Sequence, residues 1–203
     1  PNWVDGIVHY EFLTRILERQ SMTLDTIYPK GFHANVIFEY FLFGRSLPES
    51  ILIMGQWLSL MSGFTFYLLA RKVLRMPYGL IAVGVYWFWT AFPAYLINWG
   101  RYPYLQGLTL LPVAMVVYIN YSLNVRSRII LLAILLFGIG LTYYGSLLMF
   151  IAFVVAHLID AESRERHREL IKEIKVIILC FLPIALVLFI RLRKAFKMHI
   201  VSF

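Results

Sequence analysis

The chain has 203 residues, 61% hydrophobic and 15% charged, and a mean hydropathy of +0.74. A soluble domain carries about 45–50% apolar and about 25% charged residues, so the composition excludes an ordinary soluble protein and marks an integral membrane one. The excess of 19 Lys and Arg over 11 Asp and Glu fits loops on one membrane face better than nucleic-acid binding, and the single cysteine, Cys180, rules out an intrachain disulfide.

The first residue is a Pro in a polar run, with neither Met nor a secretory leader ahead of it. This suits a mature product or a segment of a longer protein. "DGIVHYEFLTRILERQ" places Ile7, Val8, Phe12, Leu13, Ile16 and Leu17 at helical spacing. It predicts an amphipathic helix over residues 5–20, lying at the membrane interface. A "YPKG" turn (28–31) then leads into "ANVIFEYFLFG" (34–44), a segment too short to span comfortably alone. Residues 1–46 together form an external loop.

A span needs about 20 mostly apolar residues. The chain offers spans at about 48–70, 78–98, 104–123, 129–141, 145–159 and 174–191. Pro93 is placed to kink the second. The run 129–159 is too long for one crossing and is interrupted by "GIGLTYYGS", so two short helices are expected, joined near Tyr143–Gly145. The expected fold is all-α: a polytopic membrane helix bundle (47–203) with an external amphipathic interfacial helix. Lys and Arg mark the cytoplasmic side. Placing the basic loops 71–75, 124–128 and 162–175 there sends residues 1–46, 99–107 and 142–145 to the extracytoplasmic face. The basic "RLRKAFK" (191–197) then emerges outside, against the rule.

That topology gathers Asp5, His9, Tyr28, His33, Arg101, Tyr102, Tyr143 and Tyr144 at one face. Polar groups converging over a cavity mark a candidate site. Each has a plainer reading. Asp5 and His9 share a helix face, yet Asp5 is also suited to capping. Arg101, the one cation in the loop 99–107, suits a phosphate or a lipid headgroup. Asp5, His9 and His33 offer donors for a divalent metal, although their spacing is no metal signature. Glu39 sits in an apolar stretch. Tyr143 and Tyr144 fit an aromatic belt. His157 falls on the opposite side. "GIG" (138–140) lies inside an apolar span and lacks the context of a phosphate loop.

"WVDGIVHYEFLTRILER", "YPKGFHANVIFEYFLFG" and "WGRYPYLQGLTLLPVAM" (99–115) resemble the first external loop and a later external turn of GT-C-type polytopic membrane glycosyltransferases and their uncharacterised relatives. The resemblance covers about residues 3–160. It implies transfer of a sugar from a polyprenyl-phosphate donor to an acceptor hydroxyl at the outer face. In that reading Asp5 is the base on the acceptor or a metal ligand. His9, Tyr28, His33, Arg101 and Tyr102 bind substrate, with Arg101 stabilising the leaving phosphate. Where the family places a His-containing turn, this chain has Tyr143 and Tyr144. A non-catalytic structural or accessory subunit of a larger membrane complex, partnered by other membrane subunits, is the alternative. A transporter ranks lowest, because the spans between 48 and 123 hold almost no ionisable residue apart from Glu49 at one end.

Overall fold

The computed structural model describes residues 4–19, 30–74, 76–89, 100–120 and 122–159, with isolated positions 96, 172, 175, 178, 179, 182, 186 and 190. The side chains of Val4, Asp5, Arg19, Trp89 and Leu158 lie outside that description. The chain forms α1 (Val4–Arg19), α2 (Gly31–Phe43), α3 (Leu47–Val73), α4 (Tyr78–Gly84, continued by a π-helical turn Val85–Trp89), α5 (Tyr102–Ile119), α6 (Val125–Thr142) and α7 (Tyr144–Ile159). Among the described residues there is no strand. The fold is all-α, and α3, α5 and α6 are long and apolar enough to cross a membrane. These three helices fit an integral membrane protein.

Local chemistry sets the helix ends. Ser46 is extended and precedes α3. Its N–H and hydroxyl both donate to Glu49 Oε2, at 3.1 and 2.7 Å, which satisfies a donor the helix start would otherwise leave free. Arg71 and Lys72 occupy the last turn of α3, where cations complement the helix dipole. Gly44 closes α2 at φ 61°, a conformation that favours glycine. Asn124 Oδ1 accepts from Ser127 N–H at 2.8 Å and starts α6.

The contacts fix the topology. Thr109 Oγ1 donates to Leu58 O at 3.2 Å, and Tyr102 lies on Gly55, so α5 runs parallel to α3. α4 returns between them in sequence. Gly79 lies against Arg71, Trp87 against Gly63, and Tyr86 OH bonds Ser62 Oγ at 3.2 Å. Consecutive residues of a regular helix point about 100° apart. The wider π turn lets Tyr86 and Trp87 both meet α3. α6 runs back along α5, with Gly138 at Leu110. α7 reverses again, taking Ser146 to Gly107 and Phe150 to Tyr118.

One end of the bundle therefore carries Gly31, Arg101, Tyr102, Thr142 and Tyr143. The other carries Arg71, Lys72, Asn120, Arg126, Arg128 and His157. Two apolar clusters hold it together. Leu111, Ala114, Tyr118, Leu132, Leu136 and Phe150 are among those joining α5, α6 and α7. Leu13, Phe32, Val36, Ile51, Tyr102 and Leu105 are among those joining α1, α2, α3 and α5.

Several expectations hold and some need correction. The spans 48–70 and 104–123 are α3 and α5. The hairpin in 129–159 exists, with Tyr143 alone extended between α6 and α7. The segment 124–128 is not a loop. It is the cap and first turn of α6, because Asn124 opens the helix there. The helix expected from 34 begins at Gly31 and includes His33. α1 is a helix over the residues expected to form one, but its buried stripe is Gly6, His9, Leu13 and Ile16, while Ile7 and Val8 are 58% and 57% exposed. The 78–98 span is described as continuous helix to Trp89, with Leu96 helical beyond it. Pro93, the continuous span 174–191, the loop 162–175 and residues 28–29 of the turn lie outside the described residues.

Candidate functional site

His9 sits on the buried stripe of α1, and His33 in the first turn of α2. The two rings meet across the helix contact, with His9 Nδ1 3.1 Å from His33 Nε2. One nitrogen donates and the other accepts. The pair is 4% and 0% exposed. Aromatic rings enclose it. Phe12 lies 4.6 Å from His33 between centroids, Tyr102 lies 6.1 Å from His9, and Phe32 stacks on Tyr102 at 5.3 Å. Burial, then the neighbouring His9 and the Lys30 charge, pull the His33 pKa down from 6.5 to about 3. The imidazole is therefore neutral at physiological pH.

Tyr102 is 1% exposed and opens α5. The preceding Arg101 is exposed at the same end, its N–H donating to Leu96 O at 2.8 Å. The structure thus brings His9, His33 and Tyr102 into one cluster and sets Arg101 beside them in sequence. The backbone of Asp5 lies in the first turn of α1, one turn before His9. Its side chain, and all of Tyr28, lie outside the described residues.

Tyr143 stands apart from the histidines, with its ring 4.7 Å from that of Tyr104. His157 is at the opposite end, packed on Phe153 and Tyr118. Glu39 is 5% exposed. Its Oε1 pairs with Arg45 Nη1 at 3.3 Å, while Oε2 has no hydrogen-bond partner among the described residues.

Sequence reasoning passed over Lys30, Ser50 and Gln106, all buried. Ser50 Oγ and Gln106 Oε1 have no hydrogen-bond partner among the described residues. Gln106 carried a usable signal, a large polar side chain inside an apolar run. For a divalent metal the cluster offers two imidazoles, and among the described residues no group of three or more His, Cys, Asp or Glu converges. The hydrogen bond between the rings occupies a lone pair that a metal would need.

No protein-family model, curated protein or solved structure matches this chain.

Proposed function

We infer that the chain is a membrane glycosyltransferase, or part of one, moving a sugar from a polyprenyl-phosphate donor to an acceptor hydroxyl at the face that carries α1 and α2. The observation behind this reading is the clamp of His9, His33 and Tyr102, which holds α1 across the end of the bundle where Arg101 opens α5. α1 bears Asp5. In the reaction Asp5 takes the acceptor's proton as its oxygen bonds the anomeric carbon. The bond from that carbon to the phosphate oxygen breaks, and the phosphate leaves with the electron pair. Arg101 neutralises the charge that develops. His9, Tyr28, His33 and Tyr102 form the substrate-binding side, and substrate reaches the two buried imidazoles when α1 lifts. This face is extracytoplasmic in our reading, because Arg71, Lys72, Arg126 and Arg128 gather at the opposite end.

A second reading, a non-catalytic accessory subunit, draws on the same pair. His9 and His33 bond each other in a buried, ring-enclosed contact, as packing groups do.

Asp5→Asn tests both, assayed for transfer of label from a polyprenyl-phosphate sugar, with expression and helicity checked alongside. Loss of transfer in a folded variant supports the enzyme. If the wild-type chain transfers no sugar and the variant only loses stability by about 0.3–1 kcal/mol, on the scale of an acid in the first turn of a helix, the accessory reading stands.

A further inference from the structure

Between α3 and α4 runs a cavity of about 360 Å³ whose walls include Leu60, Phe64, Tyr67, Leu80, Val83 and Trp87. No polar surface lines it. Trp87 closes its inner side against Gly63. Leu60, Phe64 and Leu80, on its walls, are 48%, 56% and 54% exposed, so the cavity opens away from the bundle. α3 is a candidate span, and what surrounds its middle turns is hydrocarbon.

Leu60, Phe64 and Tyr67 follow helical spacing, and the next residue on that stripe is Arg71. From Leu60 to Arg71 the rise is about 16 Å, about half of a hydrocarbon layer of about 30 Å. The groove therefore covers one leaflet, from near the midplane to the basic end. At that end Gly79 of α4 packs on the backbone of Arg71, so the two walls converge under a pair of exposed cations, Arg71 and Lys72. Among the described residues neither cation has an ion-pair partner. An apolar trough one leaflet deep, ending under two positive charges, complements one molecule in both parts.

We propose that this groove holds an acyl chain of an anionic phospholipid whose phosphate lies on Arg71 and Lys72. The site is at the opposite end of the bundle from His9 and His33, and it does not depend on the glycosyltransferase reading.

Native mass spectrometry of the full chain in mild detergent, with phosphatidylglycerol and phosphatidylcholine of identical chains, tests it. Phosphatidylglycerol should be retained preferentially. Arg71→Gln and Lys72→Gln should each weaken its retention about fivefold. Val83→Trp, which fills the groove, should reduce retention of both lipids. A second measurement follows Trp87 fluorescence in nanodiscs, with the other tryptophans, Trp3, Trp57, Trp89 and Trp99, replaced by Phe. Phosphatidylglycerol brominated in mid-chain should quench it more than the brominated phosphatidylcholine. Equal retention of the two lipids, retention unchanged when both charges are removed, or a dimer mass with Trp87 shielded from bromine would each overturn the proposal, the last by seating a second copy in the groove.

Discussion

Acid should loosen α1 from the bundle, and His33 gives the size of the effect. Its pKa falls from 6.5 to about 3 when the ring is buried against His9. The docked state therefore binds fewer protons than the undocked state between those values. By linkage, docking free energy rises with pH across that window, is complete at neutral pH, and is lost as pH falls from 6.5 towards 3. Lys30 stays beside His33 when α1 lifts, so at about pH 5 the undocked form gains up to about 2 kcal/mol, a factor of up to about 30 in the opening equilibrium. The titratable groups facing His33 are Lys30 from its own element and His9 from α1. Both act against a proton on His33, so neither reverses the sign. Hydrogen exchange in nanodiscs reads the effect directly. Once intrinsic rates are corrected, the α1 amides should lose up to about 30-fold protection between about pH 7.5 and about pH 5. His33→Gln, which cannot titrate, should flatten the profile. Equal α1 protection at the two pH values, or an undiminished acid response in His33→Gln, would refute the reasoning.

Two further substitutions probe the packing. Gly55→Ala places a Cβ 2.5 Å from Tyr102 Cε1, and that ring is pinned by its stack on Phe32. It should cost about 1–3 kcal/mol, seen as a lower melting temperature in detergent. Gly84→Ala meets nothing within 4 Å and serves as the control that should not destabilise. Ser46→Ala removes a donor to Glu49 at the start of α3. It should cost about 0.5–2 kcal/mol, with faster exchange confined to the first turn of that helix.

The sequence displayed the parts of this fold that depend on local order. Apolar length located α3 and α5, and the interruption after Gly138 announced the α6–α7 hairpin, although the break falls at Tyr143 alone. The helix α1 was visible in its periodicity. The choice of buried face was not, because Ile7 and Val8 looked as suitable as Leu13 and Ile16. His9 joins the buried stripe since His33 meets it there, and two residues 24 positions apart share no periodic signal. The π turn was equally hidden. It answers to Gly63 and Ser62 on a neighbouring helix, not to anything within 85–89. Grouping by topology placed His9, His33, Arg101 and Tyr102 at one end, and the structure sets them at one end of the bundle. Which of these would bury and which would stay exposed depended on tertiary contacts.

The unequal lengths of α3 and α5 have a consequence for the setting of the histidine cluster. α3 has 27 residues and α5 has 18. Tyr102 stands level with Gly55, so the two helices run together from there to the basic end over about 27 Å, close to the thickness of a hydrocarbon layer. The first two turns of α3, about 12 Å, overhang that slab, and α2 leans on them through Leu47 and Ile51. With that shared length in the hydrocarbon, the cluster lies at its edge, where the dielectric changes most steeply. A thicker bilayer would submerge the overhang, and a thinner one would lift it into water, at a cost of fractions of a kcal/mol per Å. Membrane thickness thus becomes a physical input to α1 docking, acting through hydrophobic mismatch alongside the proton.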